Sequence, residues 1–122
     1  MTKLTNKYDL EERTAKFGED VICLCKSITL DIINRPIITQ LIRSSTSIGA
    51  NYMEANGASS RKDFINKIYI CKKEAQETKH WLRMLEKCIS ENQNQEIRKL
   101  WQEAQELTLI FHKISSSAKK NN

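Results

Sequence analysis

The sequence predicts an all-α protein, an antiparallel up-down-up-down bundle of four helices. Four segments of the 122-residue chain repeat apolar or small residues at alternating steps of three and four, which is the period of an amphipathic helix. The chain also has only one proline and three glycines, fewer than a β protein with many turns uses. Because such repeats form a seam suited to shallow helix crossings, the four segments are expected to pack as a bundle.

The four segments form one predicted domain, residues 1–122, and the short connections between them predict antiparallel neighbours. The apolar seams begin at Leu10, Ile38, Phe64 and Ile97. Residues 116–122 are polar and are expected to fray. The predicted helices span 9–28, 35–56, 60–89 and 93–115.

Helix ends are predicted from local turn chemistry. Asn34 is expected to cap the second helix. Gly57 follows the second helix, where a left-handed turn conformation would end it. Ser60, with Asp63 three residues later, indicates a capping box at the start of the third helix.

Composition limits the possible compartments. No apolar run is long enough to span a membrane, and the N-terminus lacks the apolar core of a secretory signal. The expected location is therefore the cytoplasm. Cysteines in that compartment are expected to be reduced. The four are Cys23, Cys25, Cys71 and Cys88.

The net charge of +5 is unevenly distributed. Residues 1–57 carry seven basic and seven acidic side chains, whereas residues 58–122 carry thirteen basic and eight acidic ones. The whole excess therefore lies in the second half of the chain. An uneven positive charge is typical of proteins with a polyanionic partner.

The stretch from Ser47 to Phe64 combines small and polar residues with two predicted helix ends. Its small residues predict a close approach of neighbouring helices. A phosphate-binding loop would need a preceding strand and a Gly-Lys pair, and the sequence has neither.

This stretch resembles the signature of the four-helix-bundle family named after open reading frames in intervening sequences of bacterial 23S rRNA genes. The diversity-generating retroelement accessory protein Avd is similar to that family. Many members carry proline where this chain has Gly49 and glycine where it has Ala55. The matching residues are Ser47-Ile48-Gly49-Ala50-Asn51, Glu54-Ala55, Ser60, Asp63-Phe64 and 68–85.

The resemblance implies a homopentamer around a central channel, without established enzymatic activity. The branch that includes Avd assists a reverse transcriptase and binds nucleic acid. No residue of this chain identifies it with that branch.

A polar stripe on the second helix has two interpretations. Ser44, Ser47, Asn51 and Glu54 recur at helical spacing. They could bind a ligand, or they could form structural hydrogen bonds where helices or subunits meet. The structural interpretation is favoured, because the sequence offers Glu54 no partner for acid–base chemistry.

Metal and thiol chemistry are both disfavoured, and no cofactor is expected. Glu77 and His80 form one Glu-x-x-His pattern, but di-iron bundles need two, and Leu109 occupies the equivalent position before His112. Cys23 and Cys25 are two residues apart, so on a helix they point in different directions.

The third helix carries a basic stripe, which is the main candidate for a functional surface. Basic side chains at helical spacing are typical of a phosphate-backbone binder, and Tyr69 could stack on a base. The alternative is an ordinary solvated face, since Glu74, Glu77 and Glu86 are nearby. The candidate nucleic-acid-binding residues are Lys62, Tyr69, Lys72, Lys73, Lys79, Arg83 and Lys87.

Second apolar stripes beside the core seams predict self-association. They include Ile22, Met53, Trp81 and Trp101. The predicted protein is therefore a non-catalytic oligomer, with RNA or DNA as a possible partner. The alternative is a purely structural or protein-binding oligomer.

Overall fold

The computed structural model describes the backbone of residues 6–120 and the side chains of residues 10–120. Every regular element in that part of the chain is a helix, so the predicted all-α class and the number of helices are confirmed. The predicted boundaries are correct to within three residues except at the end of α4. The helices are α1 (Asn6–Lys26), α2 (Asn34–Asn56), α3 (Arg61–Glu86) and α4 (Glu91–Lys120).

The end of α4 does not fray at residue 116, and the prediction for residues 116–120 is wrong. Ser115 is buried, and its hydroxyl donates to the carbonyl of His112. Arg61 at the start of α3 donates to the carbonyl of Ala118 at 3.3 Å. The Ser115 bond lies within α4, whereas the Arg61 bond joins the last turns of α4 to the start of α3. Residues 121–122 lie outside the described residues.

The beginning of α2 is capped by Asp31, so the prediction that Asn34 caps it is wrong. Asp31 Oδ1 accepts hydrogen bonds from the backbone N–H groups of Ile33 and Asn34, at 2.8 and 2.7 Å. The buried side chain of Asn34 instead binds the loop. Its Oδ1 accepts from Asp31 N, and its Nδ2 donates to the carbonyl of Thr29. One additional turn before the helix moves the capping position upstream.

The connection from α2 to α3 needs no left-handed residue. Gly57 has φ −99° and ψ 11°, so the predicted left-handed conformation is wrong. Its N–H donates to the carbonyl of Glu54, and that of Ala58 donates to the carbonyl of Ala55. These hydrogen bonds between residues three apart, of the 3₁₀ type, tighten the last turn of α2. The predicted cap at Ser60 is confirmed, because its hydroxyl accepts from Asp63 N at 3.0 Å.

The predicted seams form the core. Phe17 on α1 and Phe111 on α4 are its largest fully buried side chains, and the ring of Phe111 lies 5.8 Å from that of Tyr52. Phe64, Ile89 and Ile114 lie at the ends of the seams and are only partly buried. Core side chains with no measurable exposure include Val21, Leu41, Ile48, Ile68, Leu82, Leu85 and Leu107.

Contacts between consecutive helices join the beginning of one helix to the end of its neighbour in the chain. Asn56 Nδ2 at the end of α2 donates to Glu11 Oε2 near the start of α1, at 2.8 Å. Lys67 Nζ near the start of α3 pairs with Glu54 Oε1 near the end of α2, at 2.7 Å. α2 and α3 pack closely, as do α3 and α4, whereas α1 packs mainly against α2 and only sparsely against α4.

Small residues let α1 and α2 approach closely, as the sequence predicts. A Cβ atom at Gly49 would lie 3.2 Å from Thr14 Oγ1. The atoms nearest to a Cβ atom at Gly18 would be those of Thr46, at 3.6 Å, which is an ordinary van der Waals distance. The two glycines therefore differ in the space available to a side chain.

Gly18→Ala is expected to raise the free energy of unfolding by about 0.5–1 kcal/mol, because alanine is the better helix former and its methyl fits. Gly49→Ala gains the same helix propensity but must displace Thr14, so its net effect should be smaller or destabilising. Denaturant unfolding of both variants at one protein concentration measures this. Equal stabilisation by the two substitutions would show that α1 and α2 separate easily at Gly49.

Candidate nucleic-acid interface

Most of the predicted basic residues of α3 lie where that helix borders α4 or open solvent. Lys72 and Lys79 are half-buried at the boundary with α4. Arg83 lines a shallow cavity together with Trp101 and Arg98 of α4. Lys73 lies apart from them, on the side of α3 near Glu77. Two more candidates, Lys62 and Lys87, are exposed near the two ends of α3.

The ammonium groups of Lys72 and Lys79 are held by polar side chains of α4. Lys72 Nζ lies 3.0 Å from Nδ1 of His112. Lys79 Nζ donates to Oε1 of Gln105 and lies 5.3 Å from the centre of the Trp101 ring. Neither lysine is paired with a carboxylate in these contacts, so both keep their charge available to an anion.

Two aromatic rings are partly exposed beside these cations. Tyr69 is 39% exposed and Trp101 is 37% exposed. Lys119 Nζ lies 5.6 Å from the centre of the Tyr69 ring, and a hydrogen bond with the Tyr69 hydroxyl raises the pKa of Lys119 above its usual range. Exposed rings among cations can stack on bases while the cations meet phosphates.

The α4 half of this surface was not predicted from sequence as part of the binding site. Its residues recur on α4 at steps of three, four, seven and seven, next to the core seam, and this helical spacing was the available signal. Trp101 was noted only as a possible contact between subunits. We define the α3–α4 basic face as Tyr69, Lys72, Lys79, Arg83, Arg98, Trp101, Gln105, His112 and Lys119.

Two of the three nearby acidic residues lie on the opposite side of α3. Arg43 of α2 pairs with both Glu74 and Glu77. The hydrogen bond from Arg43, followed by one from Trp81, holds the pKa of Glu77 below its usual range. Only Glu86 lies on the α3–α4 side, where it pairs with Arg98 at 3.1 Å. Glu74 and Glu77 therefore do not neutralise the cations on the α4 side of α3, although Lys73 lies on the same side as these two carboxylates.

Residues 6–113 match the 23S rRNA-intervening sequence protein family. The chain belongs to this family. The match covers the first three helices and most of α4, so the resemblance stated from the residues around Ser47 is confirmed. No curated protein matches the chain.

The structure is similar to a solved structure described as a protein of unknown function from the S23 ribosomal protein family of Bacteroides thetaiotaomicron VPI-5482. The two chains are 29% identical and superpose with a TM-score of 0.75. The similarity covers 92% of this chain and 99% of the other. The two proteins therefore share the fold over nearly their whole lengths.

The polar stripe of this 23S rRNA-intervening sequence protein makes hydrogen bonds within α2 and polar contacts to α3. Asn51 Nδ2 donates to the carbonyl and the hydroxyl of Ser47, at 2.9 and 3.0 Å. The buried Ser44 hydroxyl accepts from the hydroxyl of Thr78 on α3. Glu54 is exposed and pairs with Lys67. These contacts support the structural interpretation of the stripe.

Two of the four thiols of this family member, Cys25 and Cys71, are buried. Burial raises the pKa of Cys25 to about 11 and that of Cys71 to about 12, so both remain protonated thiols near neutral pH. Within residues 10–120, no group of three or more His, Cys, Asp or Glu side chains is arranged to hold a metal ion.

No helix in residues 6–120 is long and apolar enough to cross a membrane.

Proposed function

We propose that this chain is a non-catalytic accessory protein that binds RNA or single-stranded DNA through the α3–α4 basic face. One observation carries the proposal: cations and exposed aromatic rings are concentrated on a single face, where Arg98 is paired with Glu86 but the described structure gives Lys72, Lys79, Arg83 and Lys119 no carboxylate partner. The acidic side chains that could have neutralised α3 are instead paired with Arg43 on the other side.

The composition of this face favours binding without strong sequence preference. Lysine and arginine contact phosphates, which are the same in every sequence. Tyr69 and Trp101 offer ring surfaces, and every base has a face that can stack on them. Lys72 and Lys79 are positioned by His112 and Gln105, so less side-chain entropy is lost when a phosphate binds.

We further propose that the chain is an up-down-up-down bundle that assembles into a homo-oligomeric ring, pentameric as the family resemblance implies. The end-to-beginning contacts between consecutive helices support the first part of this proposal. Exposed apolar side chains on α1 and α2, including Ile22 and Met53, support the second, because such surface typically marks an interface. In a ring, every copy contributes one basic face, and the positive electrostatic potentials of these faces add.

The deciding experiment is a fluorescence-anisotropy titration with mixed-sequence oligonucleotides over a range of salt concentrations. The triple variant Lys72→Gln, Lys79→Gln, Arg83→Gln should bind more weakly to every sequence. If all three side chains contact phosphates of a single strand, the slope of log K against log salt should flatten by about 2.

A matched control changes the same residue types elsewhere. Lys16→Gln, Lys26→Gln, Arg35→Gln removes two lysines and one arginine from exposed positions on α1 and α2, so the net charge of the two triple variants is equal. The control should bind as the parent does. Equal weakening by both variants would contradict a role for this face. Absence of parent binding at about 50 mM salt, where electrostatic affinity is strong, would favour the protein-binding oligomer instead.

A further inference from the structure

The loop between α1 and α2 exposes three large aliphatic side chains. Leu30 is 46% exposed, Ile32 is 87% exposed and Ile33 is 64% exposed. We call these three residues the apolar tip. Neighbouring apolar side chains exposed to this extent are unfavourable in water and usually mark a contact surface.

The apolar tip is held rigidly in this exposed position. Asp31 accepts hydrogen bonds from the backbone N–H groups of Ile33 and Asn34. Asn34 in turn bonds to the backbone of Asp31 and Thr29. The loop therefore cannot readily fold back to bury Ile32, and a partner that covers the tip would not have to order it first.

The opposite end of the bundle contains an open apolar cavity of about 860 Å³. It lies where α1 separates from α4, beside the start of α3 and the end of α2. This volume is within the range of about 300–1,000 Å³ that encloses a drug-sized ligand, which leaves room for several aliphatic side chains. Apolar residues that line it include Leu10, Tyr52, Ala55, Phe64, Ile110 and Ile114.

Charges at the two ends are complementary. Among residues 10–120, the cavity lining includes Arg13 and Lys113 but no acidic side chain. Arg13 is already bound by Glu103 and Glu106, so among the described lining residues Lys113 is the cation without a carboxylate partner. Asp31 lies within the apolar tip, between Leu30 and Ile32, and only one of its carboxylate oxygens is used by the loop.

We propose that the apolar tip of one copy inserts into the end cavity of a second copy, with Asp31 directed to Lys113 of that copy. Tip and cavity of one chain cannot meet, because the helix between Leu10 and Lys26 keeps them about 24 Å apart at 1.5 Å per residue. The contact is therefore between molecules and head-to-tail, and it extends an assembly unless its geometry closes a ring.

The proposed contact is weak for a single pair of molecules. Three side chains and their surroundings bury less than the roughly 800 Å² per partner of a standard stable interface. Association through the tip should therefore depend on protein concentration. It uses neither the α3–α4 basic face nor the exposed side chains Ile22 and Met53, so it can fail or succeed independently of the proposed function.

Sedimentation velocity of the full chain over a range of concentrations tests this proposal. For the parent, the average mass should rise with concentration above that of the basic assembly. The tip variant Ile32→Ser, Ile33→Ser should lose this rise, and its thermal unfolding should match that of the parent because both side chains are exposed. Leu109→Ser, at an exposed site on α4, is the control and should keep the rise.

A second variant blocks the cavity. Ser117 is exposed and lines it, so Ser117→Trp should fill the cavity without disturbing the core, and this variant should also lose the rise in mass. A mixture of the tip variant and the cavity variant should regain association, since one supplies an intact cavity and the other an intact tip.

Two results would overturn the proposal. One is a parent whose mass does not change with concentration. The other is a mixture that associates no more than the separate variants do, which would show that tip and cavity do not bind each other.

Discussion

Phe111→Ala is expected to lower the free energy of unfolding by about 3–5 kcal/mol, the cost typical of a large-to-small substitution of a core aromatic residue. Phe111 has no measurable exposure, and its ring lies against that of Tyr52. The loss includes both the transfer of the ring from water and the cavity left among close-packed neighbours. It is a large part of the total stability of about 5–15 kcal/mol common for a domain.

Chemical denaturation at one fixed protein concentration measures this effect, because association shifts apparent stability. Leu109→Ala on the same helix is the matched control. Leu109 is exposed, so its truncation should change stability by about 0.5 kcal/mol or less. Similar losses from the two substitutions would show that α4 does not bury the face containing Phe111.

Asn34→Ala is expected to destabilise the protein by about 2 kcal/mol, or about 1 kcal/mol for each of two lost hydrogen bonds. Asn34 is buried and uses its amide to bind the backbone at Asp31 and Thr29. The substitution leaves the backbone N–H group of Asp31 and the carbonyl group of Thr29 without their hydrogen-bond partner. Urea unfolding of the variant gives the change in free energy.

Asn66→Ala provides the same chemical change at an exposed position on α3. It should be neutral or slightly stabilising, because alanine is the better helix former. A neutral result for Asn34→Ala would show that the α1–α2 loop does not depend on this side chain for its conformation.

Helix positions and core faces could be predicted because they depend on a local period that the sequence states directly. The seam residues from Leu10 to Phe111 are almost all buried. The cap at Ser60 was also predictable, since Ser60 and the N–H group that it accepts from, that of Asp63, are three residues apart. These features need no knowledge of which helices are neighbours.

The wrong prediction at the end of α4 and the missing α4 half of the basic face both concern features that depend on residues distant in the chain, whereas the wrong cap of α2 is a local error. The last turns of α4 are ordered by Arg61 at the start of α3, a contact between positions 57 residues apart in the chain. The cap of α2 comes from Asp31, because the loop makes an additional turn before the helix. The α4 half of the basic face could be identified only when α3 and α4 were placed side by side.

The sparse contact between α1 and α4 has a consequence for the order in which the molecule opens. The polar contacts between α1 and α4 in the described residues are the pairs of Arg13 with Glu103 and Glu106. Partly exposed ion pairs of this kind contribute little and are screened by salt. Local opening of α1 should therefore need less free energy than global unfolding. Backbone amide protons of α1 should exchange with solvent before those of α3, which is enclosed by helices on two sides.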